Sequence, residues 1–357
     1  MENVIFKGKK IPVEDNYLDL ENLNIKSISQ IQGLEKLTSI KKINLENNQI
    51  SNIEELAILS DLEEIILTEN NITEMKGIES FQKLKQLELG SNNISKIEGL
   101  HDLDNLESLY LYKNNIKALQ GLEGLLSLKT LYLYNNQIEK IHGFDSLQNL
   151  EVLTVSSNKI TKIEGLDYLT GLESLVLSTN PIFEISGLNN LINLKSLHIA
   201  VTRISEIQGL EHLKKLEKLH LGSNKITEIK GLENLSNLDF LYLDDNEIGI
   251  IAGLENLLKL DKLFLKNNRI SEIRGLEILA NLKLLYLDYN RITEIKGLEN
   301  LTNLKTLRLN NNYIPEGSIL KVGGESKYGF INDPQEVVKY CKKNLRRRSS
   351  KDTQNAL

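Results

Sequence analysis

A 22-residue period is the feature that most constrains this chain. The stretch GLEILANLKLLYLDYNRI at 275–292 is followed 22 residues later by GLENLTNLKTLRLNNNYI at 297–314. The step stays in phase from Ile40 to Leu304 without insertion or deletion. The shared pattern is L-x-x-L-x-L-x-x-N-x-I-x-x-I-x-G-L-x-x-L-x-x, and we number its positions from the first leucine. One unit cannot bury its apolar residues alone, so stacked units must share a continuous core.

The pattern resembles the leucine-rich repeat signature, in which a short strand is followed by a return segment. Leucines at positions one, four and six, such as Leu128, Leu131 and Leu133, flank the strand and point inward. The sequence therefore predicts an α/β fold, a right-handed leucine-rich repeat solenoid. A curved parallel sheet is expected on its concave side, with short helical or irregular return segments on the convex side.

Two polar columns have structural explanations. Asparagine at position nine is expected to satisfy buried backbone groups as a ladder, broken only at Thr202. Glycine at position sixteen, replaced once by Glu55, is expected at a positive φ or a close backbone approach. The asparagines are residues 48, 70, 92, 114, 136, 158, 180, 224, 246, 268, 290 and 312, and the glycines are residues 77, 99, 121, 143, 165, 187, 209, 231, 253, 275 and 297.

The repeat divides the chain into four segments. They are an N-terminal cap with an irregular first repeat at 1–39, the 22-residue repeats at 40–314, a C-terminal cap at 315–345 and a disordered basic and polar tail at 346–357. The N-terminal VIFKGKKIPV predicts a hairpin.

The C-terminal cap is predicted to contain a helix. Asp333 is its N-cap and Pro334 its first turn. Val337, Val338 and Cys341 follow at helical spacing, so the helix can cover the last repeat, with Cys341 packed rather than reactive. In the tail, RRRSS matches the pattern that basophilic kinases read and makes Ser349 and Ser350 phosphorylation candidates; the alternative is a solvated charged end.

Composition narrows the class of protein. A single cysteine excludes an internal disulfide, and no window approaches the ~18 apolar residues of a membrane span. The N-terminus carries no signal-peptide pattern. The net charge of −6 with mixed signs does not indicate a nucleic-acid partner. We expect a monomer in the cytoplasm or nucleus that is not bound to a membrane.

Function is expected on the concave face, at positions three, five and seven of each strand. Position five carries an aromatic stripe where solvent-facing polar residues would be expected. Large aromatic side chains often anchor protein interfaces, although stacking that merely stiffens the sheet is the alternative. The predicted partner-binding residues are Glu88, Tyr110, Tyr112, Tyr132, Tyr134, His198, His220, Tyr242, Phe264, Tyr286 and Arg308. The aromatic residues form two clusters, and the second is flanked by Phe240, Leu284 and Tyr289. The first cluster is Tyr110, Tyr112, Tyr132 and Tyr134, and the second is Tyr242, Phe264 and Tyr286.

Charge differs along this face. Glu46, Glu64, Glu69 and Glu88 make its first part acidic, which favours a partner with a basic patch there. The later part mixes both signs, with cations at Lys218, Lys262, Lys266 and Arg308 and acids at Asp244, Asp245 and Asp288.

No catalytic pattern emerges from the repeats. His198 and His220 lie at position five of adjacent units, but no third metal ligand is evident, and Asp244 at position seven is a poor candidate. The chain contains neither a phosphate-binding loop nor a dinucleotide fingerprint. We therefore predict a non-enzymatic protein without cofactor or metal.

The period ending in I-x-x-I-x-G-L resembles the leucine-rich-repeat regulatory subunit of protein phosphatase 1 over residues 18 to 314. This resemblance implies a concave face that binds a phosphatase catalytic subunit, with Glu88 and Tyr110 as one acid–aromatic step and Tyr242, Phe264 and Tyr286 as anchors. Bacterial surface adhesins of the internalin type share the repeat length, so a secreted adhesin is the alternative.

Overall fold

The computed structural model describes residues 2–324 and 331–355. Within them the chain forms sixteen strands and two α-helices, and the predicted fold is confirmed as a parallel-sheet solenoid of about 13 turns. The strands are β1 Asn3–Phe6, β2 Lys9–Glu14, β3 Tyr17–Asp19, β4 Lys42–Asn44, β5 Glu64–Ile66, β6 Gln86–Glu88, β7 Ser108–Tyr110, β8 Thr130–Tyr132, β9 Val152–Thr154, β10 Ser174–Val176, β11 Ser196–His198, β12 Lys218–His220, β13 Phe240–Tyr242, β14 Lys262–Phe264, β15 Leu284–Tyr286 and β16 Thr306–Arg308. The helices are α1 Glu316–Leu320 and α2 Pro334–Asn355.

The chain forms two compact units, unit 1 at Met1–Pro181 and unit 2 at Ile182–Leu357. In unit 1 the predicted hairpin is present as the antiparallel pair β1 and β2, and β3 to β10 then pair parallel in chain order. Strands β11 to β16 do the same in unit 2. Residues 22 apart are register partners, as Tyr110 and Tyr132 are, because the repeat contains no insertion.

The core is aliphatic and lies behind the sheet. Leu128, Leu131 and Leu133 of one repeat are fully buried, as are the isoleucine and leucine columns of the return segments. Short 3-10 turns occur in the first return segments, at Ile28–Gln30, Leu34–Lys36, Glu54–Ile58 and Ile78–Ser80. Each repeat completes the core of its neighbour, and Phe81 and Phe144 are the fully buried aromatic side chains among these mainly aliphatic columns.

The asparagine ladder forms as predicted. Asn136 donates from Nδ2 to the carbonyls of Leu111 and Leu133 at 2.9 and 3.0 Å, and its Oδ1 accepts from the Ile116 N–H at 3.0 Å. The same three bonds recur along the column. At the break, the Thr202 hydroxyl donates to Oδ1 of Asn224 instead. The column is therefore structural, because it satisfies buried backbone groups between repeats.

The glycines at position sixteen have both expected features, a positive φ and a close approach of the backbone. All eleven glycines at position sixteen have positive φ, between 65° at Gly187 and 97° at Gly77. A Cβ added at Gly253 would lie 2.4 Å from the Ile229 carbonyl oxygen. A larger side chain would therefore meet both a strained backbone and a steric clash at this position.

The C-terminal cap contains the predicted helix. Asp333 Oδ1 accepts the Gln335 N–H at 2.8 Å, and the Gln335 side chain donates to the Leu304 carbonyl of the last repeat at 2.8 Å. Val337 and Cys341 of α2 are buried, and burial raises the pKa of the Cys341 thiol to about 11. A buried thiol with so high a pKa is packed rather than reactive.

Helix α2 extends further than expected. It includes 346–355, for which the sequence predicts a disordered tail, whereas residues 356 and 357 lie outside the described residues. Since 335–355 contains neither glycine nor proline, no residue there breaks the helix. The side chains of Ser349 and Ser350 lie outside the described part of the chain, so their phosphorylation remains a prediction. Among the described residues, no helix is long and apolar enough to cross a bilayer.

Candidate functional site

The open face of the sheet, defined as positions three, five and seven of the repeats, is the surface on which all the predicted partner-binding residues lie. Each of the strands β3 to β16 is only three residues long, and its middle residue is buried in the core. The residues on either side of it therefore point outward. Because the strands pair in register, equal positions form straight columns across each unit.

In unit 1 the open face carries four contacting tyrosines. Tyr110 and Tyr132 meet edge to face, with ring centroids 5.0 Å apart. Tyr112 and Tyr134 stack with centroids 4.7 Å apart and rings within 2° of parallel. Burial raises the pKa of Tyr110, Tyr112 and Tyr134, so all three are neutral near pH 7. The structure brings the predicted first cluster together.

Gly90 makes room for one of these rings, a feature that sequence reasoning missed. A Cβ at Gly90 would lie 2.3 Å from Cζ of Tyr112, so the tyrosine ring covers the glycine. Gly90 occupies position seven, where the following repeats carry Tyr112 and Tyr134. The signal available in the sequence was a glycine in the column directly preceding two tyrosines.

The acidic part of unit 1 adjoins the tyrosines. Burial, followed by repulsion from Glu21, Glu69 and Glu88, raises the pKa of Glu46. Gln86 donates to Glu88 at 2.6 Å. Glu64 differs from the others, because it pairs with the Lys42 ammonium at 2.8 Å.

In unit 2 the position-five side chains form one continuous column of contacts. Ring centroids are 5.5 Å apart for His198 and His220, 4.6 Å for His220 and Tyr242, 3.8 Å for Tyr242 and Phe264, and 5.0 Å for Phe264 and Tyr286. The Arg308 guanidinium lies 4.0 Å from the centroid of the Tyr286 ring. The column thus joins all six position-five residues of β11 to β16.

Phe240, at position three, packs against this column. Its ring lies 5.1 Å from that of Tyr242 and 5.2 Å from that of Phe264. Phe264 is consequently only 6 % exposed, whereas Tyr242 and Tyr286 are half-buried. Phe240, Tyr242 and Tyr286 therefore remain partly exposed, and the buried ring of Phe264 lies between the two tyrosines.

The two histidines stand as a pair at the start of the column. Burial is the main cause that lowers the pKa of both imidazoles; Lys218 adds to it for His198, and His198 adds to it for His220. Ser196 Oγ lies 3.0 Å from His198 Nε2. Within residues 2–324 and 331–355, no group of three or more histidine, cysteine or acidic side chains is placed to hold a metal ion.

Two aspartates of unit 2 are more buried than their sequence suggested. Asp244 accepts the Lys266 N–H at 2.7 Å, and burial raises its pKa to about 6. Asp288 is 3 % exposed, and burial raises its pKa as well. Sequence alone placed both among surface charges, because the position in the repeat gives the face of the sheet and not the degree of burial.

Comparisons with known proteins agree with this fold. A family model described as Leucine Rich repeats (2 copies) matches residues 104–146, 192–234 and 280–319, and one described as Leucine rich repeat matches 127–182. No curated protein matches the chain.

Several solved structures are similar. An internalin, InlF, from Listeria monocytogenes is 31 % identical, covers 82 % of this chain and 86 % of its own, and has a TM-score of 0.75. A leucine-rich repeat protein from Leptospira interrogans is 25 % identical, covers 81 % of this chain and 89 % of its own, and has a TM-score of 0.65. The functional domain of InlJ from Listeria monocytogenes, 23 % identical, covers 85 % of this chain and 70 % of its own with a TM-score of 0.67, and shares the fold.

The chain therefore belongs to the leucine-rich repeat proteins. Members of this class serve in general as non-catalytic scaffolds that bind protein partners.

Proposed function

We propose that this protein is a non-catalytic scaffold that holds a protein partner on the open face of its sheet, chiefly at the column from His198 to Arg308. The observation that carries the proposal is the half-buried pair Tyr242 and Tyr286, which lie on either side of the buried ring of Phe264. Ordered aromatic side chains supply large contact area while losing little rotamer entropy on binding. An aromatic stripe on the solvent side of a sheet is typical of an interface.

Affinity capture from lysate of the source cell tests this proposal. The wild type is compared with a Tyr242→Ala, Phe264→Ala, Tyr286→Ala variant whose fold is verified by circular dichroism. A matched control removes three aromatic rings outside the open face, Tyr168→Ala, Phe183→Ala and Tyr313→Ala; these side chains are 53, 56 and 70 % exposed.

A partner retained by the wild type and the control but lost from the column variant would support the proposal. Equal capture by all three proteins would show that the column has only a structural role, and would contradict the proposal.

The narrower form of the proposal is a regulatory subunit of type 1 protein phosphatase, located in the cytoplasm or nucleus. Its support is the acid–aromatic step on the open face of unit 1, where Glu88 precedes Tyr110 in the same column. Purified phosphatase catalytic subunit should bind the wild type, and a Glu88→Gln, Tyr110→Ala variant should bind more weakly. No binding to the wild type would reject the phosphatase while leaving the scaffold role open.

The alternative is a surface adhesin, favoured by the 31 % identity to InlF over most of both chains. Protease treatment of intact source cells separates the two, because an adhesin is digested and an intracellular scaffold is protected. Digestion before lysis would favour the adhesin, and protection would favour the intracellular scaffold.

A further inference from the structure

The open face of unit 2 has a charge of opposite sign to that of the whole chain. Positions three, five and seven of β11 to β16 hold four cationic side chains, Lys218, Lys262, Lys266 and Arg308, and two carboxylates, Asp244 and Asp288. The chain as a whole carries a net charge of −6. Positive charge is therefore concentrated on the surface that bears the aromatic column.

These four cations differ from the other basic residues of unit 2. Elsewhere an ammonium or guanidinium commonly pairs with a carboxylate of an adjacent repeat, as Lys283 does with Asp261 at 3.1 Å and Arg269 with Glu247 at 2.9 Å. In the described residues of unit 2, none of the four lies in an ion pair. Their charges are not neutralised by a direct contact.

Three of the cations lie over aromatic rings instead. Arg308 lies 4.0 Å from the ring of Tyr286, and Lys262 lies 5.4 Å from that of Phe240. Lys266 is 5.3 Å from the ring of Tyr289. A ring positions a cation without cancelling its charge, so the charge remains available to an anion.

The two carboxylates on the face offset the charge of the four cations only in part. Asp288 is 3 % exposed, and the Asp244 carboxylate is occupied by the Lys266 N–H. Burial raises the pKa of both, to about 6 for Asp244, whereas attraction to Lys266 acts against this rise in each. A molecule that approaches the face therefore meets tyrosine rings and basic side chains before it meets a carboxylate.

We propose that the open face of unit 2 binds an acidic segment of a protein partner, whose carboxylates pair with Lys218, Lys262 and Arg308 while its apolar groups contact Tyr242 and Tyr286. This inference rests on the proposed scaffold function and adds the chemistry of the partner. The three cations lie on alternate strands, β12, β14 and β16, which are about 9.6 Å apart. Three residues of an extended chain span about 10 Å. The favoured partner segment is thus extended, crosses the strands and carries an acid at every third residue.

Nucleic acid is the less favoured anion for this face. Single-stranded nucleic acid binds to rings whose flat faces are open for stacking on bases. Here the faces of Tyr242 and Phe264 are stacked on each other at 3.8 Å, and Arg308 covers the ring of Tyr286. The rings accordingly offer edges and hydroxyl groups rather than stacking platforms.

Fluorescence anisotropy with a short labelled peptide tests the inference. The probe has glutamate at every third position and glycine or serine elsewhere, and its control has glutamine in place of glutamate. We expect the glutamate peptide to bind on the order of tenfold more tightly at low salt, because each of three exposed charge pairs contributes about a factor of two. Raising the salt concentration should remove most of this difference.

A matched pair of variants locates the binding. Lys218→Gln, Lys262→Gln and Arg308→Gln together should abolish the preference for glutamate. The control, Lys214→Gln, Lys225→Gln and Lys259→Gln, removes equal charge from exposed positions outside the open face and should retain the preference. Circular dichroism establishes that both variants are folded.

Three outcomes would overturn the inference: equal binding of the two peptides, an equal loss of preference in both variants, or tighter binding of a single-stranded oligothymidylate of the same charge. The proposed scaffold function is judged separately by the lysate capture with the aromatic variant. One further outcome is a partner that is lost from the aromatic variant and still binds the cation variant as it binds the wild type. That result would refute the acidic segment and leave the scaffold function standing.

Discussion

Replacing Asn136 with alanine removes one rung of the asparagine ladder, and its cost can be worked from the contacts. The carbonyls of Leu111 and Leu133 retain other donors, because Asn114 Nδ2 reaches the first at 3.2 Å and Asn158 Nδ2 the second at 3.0 Å. Only the buried Ile116 N–H loses its sole acceptor, the Asn136 Oδ1 at 3.0 Å.

One orphaned buried donor costs about 1–3 kcal/mol, which is the expected loss in the free energy of unfolding. Urea unfolding followed by circular dichroism measures it. Asn149→Ala is the matched control, because the exposed Asn149 side chain bonds the Leu126 carbonyl at 2.8 Å where water can replace it. The control should change the free energy by less than about 0.5 kcal/mol. Equal unfolding midpoints for both variants would refute the ladder as a source of stability.

Three further predictions concern the stability and packing of the fold. Gly253→Ala should destabilise the protein by at least about 1 kcal/mol in urea unfolding, because it places a Cβ at positive φ against a backbone oxygen; Gly249→Ala, with open space around it, should not. Cys341 should react with a thiol reagent at neutral pH only after unfolding, and rapid labelling of the folded protein would contradict its burial. Removing 346–357 should leave folding unaffected, whereas truncation before Asp333 should cause aggregation visible by light scattering, and a stable monomeric product would refute the cap.

The fold could be predicted because the repeat specifies its own register. Once positions one, four and six are known, the 22-residue step fixes which residues pair, as His220 and Tyr242 do. The position-nine asparagines and position-sixteen glycines follow from the same geometry. Each repeat imposes the same requirement on its backbone, so the pattern appears twelve times in the sequence.

Details of the candidate site were harder to predict, because they depend on contacts between columns. The burial of Phe264 results from Phe240 beside it and from Tyr242 stacked on it. The position of the Tyr112 ring depends on the absence of a side chain at Gly90. The position of a residue in the repeat gives the face on which its side chain lies, whereas the exposure of that side chain depends on the sizes of its neighbours.

The end of the cap helix was also missed. The basic and polar residues after Leu345 indicated disorder by composition, although arginine, lysine and glutamine also favour helix once one has begun. Helix α2 begins at a capped and buried first turn and continues to Asn355. Composition alone does not separate a solvated helix from a disordered tail.

Photo-cross-linking from the open face tests the central claim most directly. A benzophenone amino acid replaces Tyr242 in one protein and the exposed Tyr168, which lies outside the open face, in another. Both are irradiated in lysate of the source cell, and adducts are identified by mass spectrometry. We predict a discrete protein adduct from position 242 that is absent from position 168. The same adducts from both positions, or none from position 242, would contradict a protein-binding role for this face.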